Sequence, residues 1–203
     1  MSKSFTVPGW FLSKRHKAEK VTSDKYQYNL YAAEFNPCIV DFFCSKFMNS
    51  YDVIWEPFAG QKKVCDSIDI CKSYGIEIIA YNIHPNDERI IEADSTKVAP
   101  CKQINGAIFH PPYFGSCALS KKDSEISRID SYESYRLQIQ KTVDLICERM
   151  LNGYVCVVGR PVFISGKKYP LDWIFTEMFV EQGFIVLDMI QSEPDTVIFL
   201  EKP

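Results

Sequence analysis

The sequence predicts an α/β fold in which helices cover both faces of a mostly parallel sheet. Apolar, strand-like runs alternate with helical patterns along most of the chain, and the strands are near-continuously apolar, as in sheets buried on both faces. The last two strand-like runs are separated by only five residues, 191–195. A parallel pair needs a crossover of about a dozen residues, so this terminal pair is predicted to be antiparallel.

The individual elements follow from local pattern. Apolar, β-branched runs bounded by polar residues predict strands, and capping residues followed by apolar positions at helical spacing predict helices. The predicted strands are 51–55, 76–81, 90–91, 104–109, 154–159, 184–190 and 196–200. One helix is predicted to begin at 36–37, and three others are predicted over 62–74, 131–151 and 171–182. Each of these three is followed by a glycine that ends it, namely Gly75, Gly153 and Gly183. Loops are predicted over 114–130 and 160–169.

Composition limits the class of protein. The chain has 203 residues, of which 46% are hydrophobic, and this length suits a single domain over 1–203. No apolar run approaches the ~20 residues of a membrane span. Eight cysteines without CxxC spacing predict neither a metal site nor a disulfide framework, so we expect a reducing, cytoplasmic location.

The net charge is −3, but the basic residues are unevenly distributed. An irregular N-terminal segment, 1–34, carries a basic cluster that either contacts phosphates or is simply solvated. Two predicted loops carry further cations. The candidate nucleic-acid-binding residues are Lys14, Arg15, Lys17, Lys121, Lys122, Arg160, Lys167 and Lys168.

Two short motifs carry the strongest functional signal. Trp55-Glu56-Pro57-Phe58-Ala59-Gly60 and Ile108-Phe109-His110-Pro111-Pro112-Tyr113 each follow a predicted strand. In a parallel α/β sheet, ligands bind at the carboxyl ends of the strands. Gly60 lets the backbone approach a ligand closely, and the two prolines stiffen the second corner.

The second motif resembles the catalytic corner of enzymes that methylate the amino group of a nucleic-acid base. Such a group is a weak nucleophile because its lone pair is delocalised into the ring. Two fixed hydrogen-bond acceptors and an aromatic face would favour a tetrahedral nitrogen with its lone pair turned to a methyl donor. His110, the next main-chain carbonyl and Tyr113 could supply these, provided that the His110 ring is neutral.

Together the motifs resemble those of bacterial and phage N4-cytosine/N6-adenine DNA methylases, in the branch that carries H-P-P-Y. The resemblance continues through Ser131–Tyr135, Gly153–Gly159 and Tyr169-Pro170-Leu171, and upstream through Tyr31 to Pro37. It implies a Rossmann-like class I methyltransferase fold, a mostly parallel seven-strand sheet with a C-terminal antiparallel hairpin. It also implies a role in restriction-modification or phage DNA modification.

The resemblance also implies the roles of individual residues. Methyl transfer from S-adenosylmethionine would use His110, Pro111, Pro112 and Tyr113 as the catalytic corner, with the target base flipped out of the duplex. The cofactor would be bound by residues of the first motif, of two further strand ends and of the N-terminal segment. These are Tyr31, Phe35, Glu56, Phe58, Gly60, Asn82 and Asp94.

A separate target-recognition domain is not expected. Only fifteen residues separate Asp94 from His110, and nothing follows Pro203. Reading a DNA sequence needs an inserted helix, ribbon or loop. We therefore expect the basic loops to serve that purpose, or else a partner subunit or a homodimer.

Two alternatives remain open at this stage. One is an RNA base methyltransferase with the same corner. The other is a catalytically degenerate methyltransferase fold that serves as a DNA-binding partner. Three departures from the usual family pattern favour the second alternative: Lys62 where a second glycine is usual, Asn82 where an acid is usual, and His110 where Asp, Asn or Ser is usual.

Overall fold

The computed structural model describes residues 37–60, 64–85, 87–115, 126–192 and 194–203. Within these ranges the chain forms four α-helices and nine strands. The helices are α1 (Pro37–Phe47), α2 (Val64–Ser73), α3 (Tyr132–Arg149) and α4 (Leu171–Val180). The strands are β1 (Val53–Glu56), β2 (Glu77–Asn82), β3 (Ile91–Glu92), β4 (Gly106–Phe109), β5 (Gly153–Gly159), β6 (Pro161–Ile164), β7 (Lys167–Pro170), β8 (Ile185–Ser192) and β9 (Asp195–Lys202).

Seven of the strands form one sheet in the order β3-β2-β1-β4-β5-β9-β8. Strands β1 to β5 pair in parallel, whereas β9 runs antiparallel to both of its neighbours, β5 and β8. The predicted mostly parallel seven-strand sheet with a reversed terminal hairpin is confirmed. The hairpin connection is shorter than the predicted five residues because β8 extends to Ser192 and β9 begins at Asp195.

The sheet is covered on both faces, as predicted. Helices α1 and α2 pack on one face, where Phe43, Ile54 and Phe199 are buried together. Helices α3 and α4 pack on the other, where Trp55, Phe109 and Phe175 are buried together. The alternation of Ile54 and Trp55 between the two cores follows from the two-residue period of a strand.

The segment 160–169 differs from the prediction. Strands β6 and β7 form a two-stranded antiparallel ribbon instead of a loop. Its turn is made by Ser165 and Gly166, which have φ angles of 49° and 79°. Two consecutive positive φ angles are typical of the tight hairpin turns whose twist matches that of the flanking strands.

Strand β8 forms one edge of the sheet, and several of its apolar side chains are exposed, namely Ile185, Val186, Leu187 and Met189. Among the described residues, no helix is long and apolar enough to cross a membrane. The same part of the chain contains no cluster of His, Cys, Asp and Glu that could hold a metal ion.

Candidate active site

The carboxyl ends of the parallel strands bring most of the predicted site residues to one edge of the sheet. Glu56 ends β1, Asn82 ends β2, and His110 directly follows β4. Arg160 follows β5. Because β9 is antiparallel to β5, its first residue, Asp195, lies at this same edge, where Thr196 pairs with Gly159.

The two motifs meet where the order of the strands reverses. Strands β1 and β4 are neighbours in the sheet. The chain continues from β1 to β2 on one side and from β4 to β5 on the other. Phe58, after β1, contacts Phe109, at the end of β4, edge to face with ring centroids 5.6 Å apart. Such a reversal point forms a crevice at the strand ends, which is the usual ligand site of this architecture.

The loop after β1 is held by the end of β2. The Ala59 amide donates to the Tyr81 carbonyl over 2.9 Å, and the Asn82 side-chain amide donates to the Ala59 carbonyl. The Asn82 side-chain oxygen accepts from the His84 amide at 2.7 Å. Asn82 therefore joins two loops, a task that a carboxylate could not perform because it has no N–H to donate.

Gly60 faces open space in the described part of the structure. A Cβ added there would meet no heavy atom within 4 Å. The peptide at Gly60 therefore leaves room for a ligand over the end of β1.

Glu56 is a buried carboxyl group, only 3% exposed. Among the described residues, its Oε2 atom has no hydrogen-bond partner. Burial raises the pKa of Glu56 to about 8, so the side chain is mainly protonated at neutral pH. Protonated Glu56, at the start of the loop after β1, therefore contributes no negative charge to the site.

Asp94 lies in the turn that follows β3. Its carboxylate accepts from the Thr96 hydroxyl at 2.6 Å and the Thr96 amide at 3.0 Å, and it pairs with Lys97 at 2.7 Å. Burial alone would raise the pKa of Asp94, but the hydrogen bonds from Lys97 and Thr96 outweigh it and the pKa is lowered. Asp94 is therefore ionised and remains 28% exposed, so it can accept a further hydrogen bond.

The His110–Tyr113 corner is closely packed and internally bonded. His110 and Tyr113 are 8% and 6% exposed. The Nε2 atom of His110 lies 3.1 Å from the Tyr113 hydroxyl, which donates to Asp195 over 2.8 Å. The Tyr135 hydroxyl of α3 donates to the Pro112 carbonyl over 3.0 Å and fixes the second proline.

Burial, together with the neighbouring charges, sets the protonation state of the corner. Burial lowers the pKa of His110; nearby Asp195 opposes this shift and Arg160 adds to it. Burial and the Asp195 carboxylate raise the pKa of Tyr113 well above its usual value. At neutral pH the ring of His110 is therefore neutral and Tyr113 keeps its proton.

Arg160 covers the corner. Its guanidinium carbon lies 5.2 Å from the centre of the Tyr113 ring, and its Nε atom lies 3.9 Å from the Asp195 carboxylate. The positive charge of Arg160 is attracted both to the face of the Tyr113 ring and to the Asp195 carboxylate. Arg160 is predicted to contact nucleic acid, and its location above Tyr113 brings it next to the His110–Tyr113 corner as well.

The β6–β7 ribbon packs directly against the corner. Phe114, the residue after Tyr113, contacts Tyr169 of β7 with ring centroids 5.2 Å apart. Gly115 has a φ angle of 63°, and an added Cβ would overlap Ile164 of β6. Glycine at this position allows the corner and the ribbon to approach closely.

The ribbon has two different faces. Val162, Ile164 and Tyr169 pack against the protein core. Phe163 pairs with Lys168 on the opposite face, where Phe163 is 73% exposed. Lys167, at the turn, lies 5.0 Å from the Tyr169 ring centre.

The structure thus gathers Glu56, Phe58, Gly60, Asn82 and the His110–Tyr113 corner at one edge of the sheet, with Asp94 in the neighbouring turn after β3. Seven other predicted residues lie outside the described residues, namely Lys14, Arg15, Lys17, Tyr31, Phe35, Lys121 and Lys122, as does Lys62. Sequence reasoning missed Asp195 and the Tyr135 contact, because the pattern predicts only a connection between two strands at Asp195 and an apolar helix position at Tyr135.

No family model matches the chain, and the search of curated proteins gives no match. Solved structures that resemble it include a candidate rRNA methylase from Clostridium thermocellum, with 15% identity, a TM-score of 0.48, and coverage of 80% of this chain and 95% of that chain. A SAM-dependent methyltransferase from Aquifex aeolicus has 7% identity and a TM-score of 0.44, with coverage of 83% and 99%. NodS, an N-methyltransferase from Bradyrhizobium japonicum solved with S-adenosyl-L-homocysteine, has 8% identity and a TM-score of 0.43, with coverage of 82% and 84%.

At these identities and TM-scores, the matches decide neither family nor activity, so the fold is assigned from the sheet itself. The deciding observation is the order β3-β2-β1-β4-β5-β9-β8 with only β9 reversed. The fold is Rossmann-like, of the class I methyltransferase type. In this methyltransferase-type fold, the crevice between the ends of β1 and β4 is the expected place for ligands.

Proposed function

We propose that this chain transfers a methyl group from S-adenosylmethionine to the exocyclic amino group of adenine (N6) or cytosine (N4) in DNA. The observation that carries this proposal is the contact between the two motifs at the strand reversal, made by Phe58 and Phe109. It brings the open backbone at Gly60 and the His110–Tyr113 corner into one crevice. The choice of DNA over RNA rests on the resemblance of the motifs.

The residues at the crevice fit the cofactor. Gly60 leaves room for a ligand, and Asp94 is an ionised, partly exposed acceptor suited to an amino or hydroxyl donor. Asn82 would hold the loop under Gly60 and could offer the second lone pair of its side-chain oxygen. When bound, S-adenosylmethionine supplies the electrophilic methyl group.

The corner would accept the two hydrogens of the target amino group. His110 is neutral because burial lowers its pKa, so one ring nitrogen has a lone pair. The second acceptor would be the Pro111 carbonyl, since Tyr135 donates to the next carbonyl, that of Pro112. Holding both hydrogens would direct the nitrogen lone pair toward the methyl group.

The Tyr113 ring would carry the flipped base. Its ring is mostly buried and has Arg160 over it at 5.2 Å, so the described form is a closed one. A base entering the corner would have to displace the groups that cover the ring. Arg160 could then pair with a phosphate and leave the ring face to the base.

The β6–β7 ribbon supports a nucleic-acid substrate. Residues 160–170 include three cations, Arg160, Lys167 and Lys168, and no acid. The exposed pair of Phe163 and Lys168 combines an aromatic surface with a cation, as in sites that bind single strands. A partner subunit or a homodimer would extend this surface for sequence recognition.

Methyl transfer from labelled S-adenosylmethionine to double-stranded DNA, single-stranded DNA and bulk RNA tests the proposal, with the product nucleosides separated by mass. We expect N6-methyladenine or N4-methylcytosine in DNA. Label in RNA alone would replace DNA by RNA as the substrate. Absence of label in all three, together with absence of cofactor binding, would mean a fold without methyl-transfer chemistry.

Two variants connect the activity with the corner. Tyr113→Ala should reduce transfer strongly, because the base loses its stacking surface, whereas Tyr51→Ala should leave it unchanged. Tyr51 is the matched control because it is 93% exposed. It belongs to the turn before β1, at the amino ends of the parallel strands and so away from the site. Full activity in Tyr113→Ala would exclude the corner as the catalytic site.

A further inference from the structure

Two side chains of the His110–Tyr113 corner and one from β9 form a hydrogen-bonded row at the proposed base site. His110 Nε2 lies 3.1 Å from the Tyr113 hydroxyl oxygen, and this hydroxyl lies 2.8 Å from Asp195 Oδ1. Asp195 belongs to the first position of β9, and its side chain is only 17% exposed. None of the sequence motifs includes Asp195.

The direction of the two hydrogen bonds follows from a count of protons. The Tyr113 hydroxyl donates to Asp195 Oδ1, and this bond uses its hydrogen. A hydroxyl has a single hydrogen, so the Tyr113 oxygen can only accept in its contact with His110. A neutral imidazole carries a hydrogen on one nitrogen alone, and that nitrogen must then be Nε2.

We infer that Asp195 and the Tyr113 hydroxyl act as positioning groups that hold His110 as the Nε2-protonated tautomer, with the acceptor lone pair on Nδ1. The relevance of this tautomer to catalysis rests on the proposed function, since Nδ1 would accept a hydrogen of the target amino group. Asp195 itself touches neither base nor cofactor in this scheme and acts through Tyr113.

Arg160 supports the direction of this row. The Nε atom of its guanidinium lies 3.9 Å from Asp195 Oδ1, so a positive charge lies beside the oxygen that accepts from Tyr113. Without an acceptor at position 195, the Tyr113 hydroxyl could rotate and donate to Nε2 of His110. The ring hydrogen would then move to Nδ1, and the lone pair needed by the substrate would be lost.

The tautomer can be measured directly by ¹⁵N NMR of the histidine rings in the full chain at pH 7.5. The chain has only three histidines, and His110→Asn identifies the signals of His110 by their loss. We expect Nε2–H in the wild-type protein, a shift toward Nδ1–H in Asp195→Ala, and recovery in Asp195→Asn, whose side-chain oxygen can still accept. Nδ1–H in the wild-type protein, or an unchanged tautomer in Asp195→Ala, would overturn the inference.

Kinetics provide the second readout. Asp195→Ala should lower kcat by about 100-fold with little change in KM for the cofactor, because an acceptor is lost at the reacting group alone. The matched control is Asp188→Ala on the neighbouring strand β8, which should have wild-type kcat and an unchanged His110 tautomer. Tyr113→Phe should perturb the tautomer as Asp195→Ala does, and it replaces that variant if Asp195→Ala does not fold.

The two readouts separate the inference from the proposed function. The NMR measurement needs neither substrate nor cofactor, so it decides the tautomer even in a protein without activity. A wild-type protein with the Nε2–H tautomer and no methyl transfer would refute the proposed function alone. An active protein with normal kcat in Asp195→Ala would refute the positioning role alone.

Discussion

At the scale of single residues, burial determines the protonation state of the candidate site. His110 and Glu56 are both nearly inaccessible to water, and in each case the neutral form is favoured. For a base such as His110 this means a lowered pKa, and for an acid such as Glu56 a raised one. Each shift gives a pH dependence of known sign.

We predict that methyl transfer does not decline until the pH is well below 6.5, the ordinary pKa of histidine. The lowered pKa of His110 keeps the ring neutral through that range, and activity falls only when the ring is protonated. His110→Asn should retain transfer within about tenfold and lose the acidic decline, since asparagine has an uncharged acceptor. His110→Ala should lose about 100-fold or more.

The pH profile of kcat in the three proteins checks this prediction. An acidic decline centred at or above pH 6.5, or one that persists in His110→Asn, would show that His110 is not the titrating acceptor.

Glu56 gives a prediction about stability. Its folded-state pKa of about 8 lies above the unfolded value of 4.5, so its contribution is fully present below pH 4.5 and is lost as the pH rises through 8. Between these pKa values the free energy of unfolding should fall by up to about 1.4 kcal/mol per pH unit. Glu56→Gln, which cannot ionise, should remove that slope.

Urea unfolding of both proteins between pH 5 and pH 9 measures the difference, in which other titrating groups cancel. We expect Glu56→Gln to gain stability relative to the wild-type protein as the pH increases. Parallel pH profiles would mean that Glu56 is ionised in the folded state.

The two motifs could be recognised in the sequence, but the residues that contact them in the fold could not. The ends of β1 and β4 are recognisable because short, unusual residue combinations follow apolar runs. Asp195 is joined to Tyr113 across 82 residues, and no local pattern indicates that contact. In the same way, the use of the Asn82 amide to hold the loop at Ala59 becomes visible only in three dimensions.

At the scale of elements, the β6–β7 ribbon is the main departure from the sequence prediction. Its strands have only four residues each, and the second contains two adjacent lysines, which do not have strong strand propensity. The turn requires a positive φ at Ser165, which serine rarely adopts. Packing of Tyr169 and Ile164 against the corner stabilises a ribbon that local propensity does not predict.

We predict that the exposed face of this ribbon contributes to nucleic-acid affinity in two separable ways. Phe163→Ala should weaken binding of single-stranded DNA by about tenfold at all salt concentrations, because stacking is lost. Lys168→Ala should weaken binding mainly at low salt and reduce the slope of log K against log salt by about 0.7.

Fluorescence titrations with labelled oligonucleotides at several salt concentrations test both statements. Lys141→Ala, which removes an exposed lysine from α3, is the control and should change neither affinity nor slope. Equal losses in Lys141→Ala and Lys168→Ala would indicate a general effect of net charge instead of a contact at the ribbon.

At the scale of the whole molecule, the type of sheet and its reversed terminal hairpin were predictable, and the depth of the site was not. Alternation of strands and helices, with too short a final connection for a parallel pair, leads to the observed sheet and its reversed strand. The burial of the corner, by contrast, depends on α3, the ribbon and β9 together. It results from packing between distant segments and has no signature in a single window of sequence.

We predict that S-adenosylmethionine raises the melting temperature of the protein. At 100 times its Kd a ligand that binds only the folded state adds about 2.7 kcal/mol, which corresponds to roughly 5–10 °C for a domain of this size. Gly60→Val should abolish the shift while leaving the ligand-free melting temperature nearly unchanged, because its side chain would extend into the open space at the crevice.

Thermal scans with and without the cofactor in both proteins give the answer. The same shift in Gly60→Val as in the wild-type protein would place the cofactor elsewhere, and no shift in either would argue against a functional cofactor site.

The hydrogen bond from Tyr113 to Asp195 has a consequence for the synthesis of the chain on the ribosome. Strands β1, β4 and β5 can pair as soon as residue 159 is available, but Asp195 is added 36 residues later. A nascent chain therefore contains the complete His110–Tyr113 motif well before the carboxylate that orders it. The corner is therefore complete only after β9 has paired with β5.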